Sequence, residues 1–224
     1  MPVAIKICGL KTSEALDVAL EGGADMVGFV FFAPSPRNLG LAAAHALGAR
    51  VRGRARKVAL SVDATDDELA AVIEALRPDM LQLHGEEAPE RVTMVRARFG
   101  LPVMKALPIA ERADLAPIRR YDTVADQLIF DARAPREATR PGGLGKAFDW
   151  RLLHDLDCAV PFMLSGGLDA GNVAEALRIT RAGGVDVSSG VERAPGEKDL
   201  DKIRAFIRAA RAAANSDAKI ASSA

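Results

Sequence analysis

Cys8, His84, Asp131 and Ser188 each stand at the end of an apolar run, and the four runs are spread along the whole chain. A thiol and a carboxyl brought to one place can move protons, one as base and the other as acid. Lys6 lies two residues before Cys8, on the same face of an extended strand, and an ammonium there is expected to favour the thiolate. Cys8 also reads as a small buried hydrophobe, which is how Cys158, lacking any such context, is read. Asp131 closes Gln127-Leu-Ile-Phe-Asp131. It reads either as a proton donor whose pKa burial raises, or as a partner of Arg133 or a loop cap. His84, after Gln82-Leu83, reads as a hydrogen-bonded structural residue before it reads as a catalyst or ligand.

Other residues suit anions. Arg37 lies in Ala33-Pro-Ser-Pro-Arg-Asn38, a loop stiffened by two prolines. Its guanidinium matches a carboxylate or phosphate in bidentate fashion, against the plainer reading of a surface arginine near a turn. Ser165-Gly166-Gly167 and Ser188-Ser189-Gly190 let backbone N–H groups approach an anion. Pro141-Gly142-Gly143-Leu144-Gly145-Lys146 sits in a long loop and reads as a linker or an active-site lid. It is no P-loop, because its spacing and final residue are wrong.

The elements that must position these groups alternate. Strands are expected at Ala4–Ile7, Met26–Phe31, Lys57–Val62, Met80–His84, Pro102–Ala106, Gln127–Asp131, Pro161–Ser165 and Val185–Ser188. Helical patterns lie between them, among them Thr12–Glu21, Asp66–Leu76, Pro89–Phe99 and Asn172–Thr180, with a last one at Leu200–Ala213. Eight strand-then-helix units imply parallel pairing. An open doubly wound sheet would carry a glycine fingerprint in its first turn, whereas here that turn is Cys8-Gly-Leu-Lys-Thr12. The glycine-rich turns come late, as in a (β/α)₈ barrel that holds phosphate beside its seventh and eighth strands. The expected fold is therefore α/β: a single-domain (β/α)₈ TIM barrel over residues 1–214, followed by a frayed tail at 215–224. Strand alternation puts Lys6, Cys8, Gln82, His84, Asp131, Asp186 and Ser188 on the faces that look into the barrel mouth.

Thirty basic residues balance thirty acidic ones, so nothing in the charge suggests nucleic acid. No apolar run is long enough to span a membrane. Two cysteines offer neither a disulfide framework nor a metal spacing. The first residues enter a strand pattern directly, without a charged-then-apolar leader. These features lead us to expect a soluble, cytoplasmic protein without a metal site.

Lys6-Ile-Cys-Gly9, Gly28–Asn38, Leu81-Gln-Leu-His-Gly85, Phe130-Asp131, Pro141–Trp150, Leu164-Ser-Gly-Gly-Leu168 and Gly184–Glu192 follow one another in an order that resembles the phosphoribosylanthranilate isomerase family. The chain departs from that pattern at Leu144, where threonine is commoner, and at Ala147, where threonine or serine is usual. The resemblance implies an Amadori rearrangement of N-(5-phosphoribosyl)anthranilate in tryptophan biosynthesis. It implies Asp131 as general acid, Cys8 as general base and Arg37 on the anthranilate carboxylate. Gly166, Gly167, Ser189 and Gly190 would hold phosphate, with Lys6, Gln82, His84, Asp186 and Gly143 in support. No cofactor is implied. The expected partner is a small phosphosugar, with the chain a monomer or homodimer. The residues alone leave other phosphosugar isomerases or epimerases open, as well as a barrel that binds a phosphosugar without turning it over.

Overall fold

Eight parallel strands close on themselves in chain order: β1 (Ala4–Cys8), β2 (Met26–Phe31), β3 (Arg56–Ser61), β4 (Met80–Leu83), β5 (Val103–Ile109), β6 (Gln127–Ala132), β7 (Phe162–Leu164) and β8 (Gly184–Val187). Closure comes from β1 pairing with β8, with Lys6 opposite Asp186 and Ile7 opposite Val187. The structure, a computed structural model, describes residues 3–135, 137–138, 140–143, 145 and 147–221, with 216–221 as backbone only.

The helices are α1 (Ser13–Glu21), α2 (Leu41–Val51), α3 (Asp66–Leu76), α4 (Pro89–Phe99), α5 (Ile118–Tyr121), α6 (Val173–Thr180) and α7 (Leu200–Ala221). Thr12 caps α1 by accepting from the Ala15 N–H, and Thr65 with Glu68 forms a capping box on α3. Two crossovers fall short of the expected unit. Among the described residues, there is after β5 only a 3₁₀ turn (Arg112–Leu115) and the single turn of α5, and after β6 only the 3₁₀ turn Trp150–Leu153. The β6 crossover spends its length on Pro135, Pro141 and the glycines at 142, 143 and 145, which do not propagate a helix. At the other end, α7 runs on to Ala221, past the Ala213 expected from sequence and through much of the expected frayed tail. Alanines 212–214 have high helix propensity, and no proline or glycine follows to stop it. A two-stranded hairpin, β9 (Glu192–Ala194) and β10 (Glu197–Lys198), links β8 to α7.

Strand alternation sorts the two cores. Ile5, Ile7, Leu81, Leu83, Leu128, Phe130, Val185 and Val187 pack outward with helix residues such as Leu16, Leu69, Val92 and Phe206. Met26, Val58, Met80, Met104, Ala106, Ile129 and Met163 fill the barrel interior. Unbranched methionine suits the irregular space at the barrel axis. Three further inward positions, Lys6, Gln82 and Asp186, are buried and polar, and Cys8 with Val30 and Leu60 forms a small apolar collar at the mouth. Among the described residues no helix is long and apolar enough to cross a membrane.

Candidate active site

The C-terminal strand ends open into a cleft that encloses about 770 Å³ of non-atom space, its open mouth included. Cys8, Arg37, His84, Asp131, Gly143, Gly166, Gly167, Asp186 and Ser189 all line it. Lys6 and Gln82 lie beneath its floor, fully buried. Gly190 is set back from the wall, close against the Leu168 carbonyl, where any Cβ would collide. Among the described residues the N–H groups of Gly166, Gly167, Ser189 and Gly190 have no acceptor of their own. Gly166 and Gly167 hold φ of +86° and +66°, the left-handed region that side-chain-bearing residues avoid.

Cys8 ends β1 and is 3 % exposed. Its thiol has room because β2 carries Gly28 at the paired inward position: a Cβ there would lie 2.9 Å from Sγ. Below it, Lys6 Nζ donates to Asp186 Oδ1 at 2.9 Å, and Ser165 Oγ donates to Asp186 Oδ2 at 3.3 Å. Burial alone would lower the Lys6 pKa, but Asp186 and Cys8 outweigh it and push it up to about 12. The Cys8 thiol moves opposite to the sequence expectation. Burial pushes it above its usual 9.0, and the nearby Lys6 ammonium offsets this only in part. A lysine two residues away signals an attraction, but the depth of burial decides the sign.

Asp131 near the end of β6 is oriented at both oxygens. The Ala132 N–H donates to Oδ1 at 2.9 Å, and His84 Nε2 lies 3.3 Å from Oδ2. Gln82 Nε2 is 2.9 Å from His84 Nδ1. With the amide donating there, Nδ1 accepts and Nε2–H points to the carboxylate. Gln82, His84 and Asp131 thus form one chain from the barrel interior to the cavity. Gly142 lies against both ends of the His84–Asp131 contact, so the loop closes over it. Arg133 turns away from Asp131 and pairs with Asp114 and Glu111 instead.

Arg37 is buried, and its fork is already occupied. Nε donates to Glu192 Oε1 and Nη2 to Glu192 Oε2, each at 2.8 Å, and Nη2 also reaches the Gly143 carbonyl at 3.1 Å. The bidentate face expected for a ligand therefore points at β9, and Nη1 is the nitrogen beside Gly143. Ser35 and Asn38 fix the loop through hydrogen bonds from the Arg37 and Phe32 N–H groups. Gly9, with φ of +77°, turns the chain after Cys8, and a Cβ on it would stand 2.6 Å from Arg37 Cδ. Glu192 also accepts from Lys198 Nζ at 2.9 Å. Sequence reading gave Lys198 no role, because a lysine in a charged hairpin reads as solvated. Leu144 and Lys146 lie outside the described residues, and Ala147 is exposed. Among the described residues no group of three potential metal ligands occurs.

The profile of one protein family, N-(5'phosphoribosyl)anthranilate (PRA) isomerase, matches residues 5–209. An N-(5'-phosphoribosyl)anthranilate isomerase from Nitrobacter winogradskyi is 66 % identical over 216 residues, covering 96 % of each chain. One from a Bradyrhizobium species is 63 % identical, covering 95 % of this chain and 97 % of its own. Among solved structures, phosphoribosyl anthranilate isomerase from Thermotoga maritima superposes with a TM-score of 0.85 at 33 % identity, over 94 % of this chain and 99 % of its own. A phosphoribosyl anthranilate isomerase in complex with reduced 1-(o-carboxyphenylamino)-1-deoxyribulose 5-phosphate superposes with a TM-score of 0.81 at 31 % identity, again over 94 % and 99 %.

Proposed function

The chain belongs to the N-(5'-phosphoribosyl)anthranilate isomerase family, and on that premise we propose that Cys8 and Asp131 move the protons of its reaction. The enzyme isomerises N-(5-phosphoribosyl)anthranilate to 1-(2-carboxyphenylamino)-1-deoxyribulose 5-phosphate. Asp131 as general acid protonates the ribose ring oxygen, and the C1–O bond opens to an imine on the anthranilate nitrogen. Cys8, as thiolate, takes the proton from C2, and the C2–H electron pair gives the enolamine. Tautomerisation then yields the C2 ketone. No step in this sequence calls for a cofactor.

The observation that carries this reading is the meeting of Cys8, Asp131, Arg37 and the two glycine turns around one cavity. Phosphate fits the turn N–H groups of Gly166, Gly167, Ser189 and Gly190 after β7 and β8, where anion binding needs no side-chain charge. The anthranilate carboxylate fits Arg37 at Nη1, with Glu192 holding the rest of the guanidinium. Gln82 and His84 set the Asp131 carboxyl plane, while Lys6, paired to Asp186, underlies Cys8. Gly143 ties the covering loop to Arg37. We place the enzyme in the cytoplasm, as a monomer or homodimer, since a reducing compartment keeps a base thiol free.

The direct test is the loss of substrate fluorescence on adding protein, with substrate generated in situ and its spontaneous breakdown subtracted. Cys8→Ala and Asp131→Asn should each lower kcat by about 10²–10⁴. Near-normal turnover in Cys8→Ser would remove the base assignment, and no wild-type decay above background would remove the proposal.

A further inference from the structure

Glu192 is a buried carboxylate shared by two buried cations. Arg37 takes both oxygens in a fork at 2.8 Å, and Lys198 Nζ adds a third contact to Oε1 at 2.9 Å, with both members of that second pair at most 4 % exposed at the side chain. Burial raises the pKa of Glu192 and lowers that of Lys198. Against that burial, the Arg37 and Lys198 contacts bring Glu192 out below its usual value, whereas Lys198 stays below its own because burial outweighs the attraction of Glu192. Two cations and one anion leave this unit with one net positive charge, at an arginine that lines the cavity. Remove Lys198 and the Arg37–Glu192 pair is neutral.

We propose that Lys198 is a positioning residue that keeps the Arg37–Glu192 pair cationic, and so sets the affinity of this end of the cavity for a carboxylate. A neutral pair still offers an N–H, but in a water-poor site the net charge contributes most of the attraction. Lys198 also donates to the Ser188 carbonyl at 2.8 Å and to Ser188 Oγ at 3.3 Å, and Ser188 Oγ donates to the Cys8 carbonyl at 3.2 Å. One ammonium therefore joins the arginine, the β8 turn and the end of β1. Glu192 offsets the repulsion that Arg37 still exerts on Lys198.

The inference rests on Arg37 meeting the substrate carboxylate, and the experiment separates the two. Two ligands are compared by calorimetry: the reduced product analogue, and the same molecule with hydrogen in place of its carboxylate. Lys198→Met should weaken the first by about 10–100-fold, the scale of one desolvated charge partner, and the second by no more than about threefold. In turnover KM should rise by a similar factor while kcat changes far less, and Lys198→Arg should restore most of the affinity. Lys198→Met leaves Glu192 paired to Arg37, so no isolated charge is buried. The double variant Lys198→Met with Glu192→Gln returns the unit to one positive charge and should recover carboxylate affinity relative to Lys198→Met alone. Equal weakening of both ligands, no weakening of either, or no recovery in the double variant would each overturn the inference. Arg37→Met is measured beside them. If it too spares the carboxylate ligand, the underlying assignment of Arg37 fails. If it loses that ligand while Lys198→Met keeps it, only the role of Lys198 fails.

Discussion

Lys6→Met tests what the floor of the site does. Lys6 is fully buried, and its ammonium is 2.9 Å from Asp186, whose other oxygen meets only Ser165 Oγ among the described residues. Deleting the lysine strands a buried carboxylate, a change that costs about 3–5 kcal/mol. For a chain of this size each kcal/mol moves Tm by roughly 2–4 °C, so melting should fall by roughly 6–20 °C. Lys6→Met combined with Asp186→Leu removes both charges and fills the space with apolar atoms, so most of that loss should return. Chemistry should not return with it. Lys6 draws the Cys8 thiol down more strongly than Asp186 pushes it up, so losing both leaves the thiol higher than in the wild type. Each unit of upward movement lowers the thiolate fraction at a given pH below the thiol pKa about tenfold. The readouts are thermal melting, the pH dependence of kcat/KM, and the rate of Cys8 alkylation by iodoacetamide in a Cys158→Ser background. A double variant whose alkylation and kcat/KM curves overlay the wild type would refute the reasoning, and so would a Lys6→Met protein that melts within a degree of it.

Other outcomes follow from single contacts. Gly28→Ala puts a methyl 2.9 Å from Cys8 Sγ and 3.1 Å from Cys8 Cα; it should cost about 1–3 kcal/mol in chemical denaturation and lower kcat by more than it alters KM. Gly142→Ala would drive a methyl into the His84–Asp131 contact, so kcat should fall in steady-state turnover while the melting temperature holds. Arg77 ends α3 with φ of +49°, and Arg77→Gly should stabilise the fold by about 0.5–1 kcal/mol, visible as a higher denaturation midpoint. The buried Cys8 thiol titrates above the ordinary 9.0. Below that pH folded and unfolded chains both keep the proton, and above it the unfolded chain ionises first, so stability falls with rising pH until the folded thiol ionises too. The difference between wild type and Cys8→Ala, measured from pH 7 to 11, should show that decline, and a flat difference would contradict it.

What could be read from the chain follows from how far each signal reaches. Ile5 and Ile7 against Lys6 and Cys8 is a period-two pattern within five residues, and it places the inward face correctly without any tertiary knowledge. Thr12 and Thr65 act at the next helical turn, and their caps are equally local. The fork of Arg37 could not be read in this way. Its partner lies 155 positions away, and a lone arginine in a proline-bounded loop looks ready for a ligand whether or not a carboxylate already occupies it. The Cys8 thiol shows the same limit in energy, since the sequence names the neighbouring ammonium and is silent on the solvent that burial takes away. The strand runs alone suggest eight strand-then-helix units, although the crossovers after β5 and β6 hold little helix among the described residues. A return only has to bring the chain back to the next strand, and proline and glycine can do that.

Two buried charge systems flank Cys8, and neither is a means of stabilising the barrel. Apolar side chains of similar volume would serve folding as well as Lys6 with Asp186 or Lys198 with Glu192. The barrel axis below them is filled by such apolar side chains, among them Met26, Met80, Met104 and Met163. Each system instead holds something that moves if the charges are lost. Lys6 and Asp186 fix the floor under the thiol and the Ser165 hydroxyl at the start of the β7 turn. Lys198 and Glu192 fix Arg37 and the Ser188 carbonyl at the start of the β8 turn. A substrate carrying a phosphate at one end and a carboxylate at the other must be held at both while its middle loses and gains protons. Ion pairs that tie the glycine turns and Arg37 to the strand carrying Cys8 would keep the proposed phosphate and carboxylate anchors at a constant distance from the thiol.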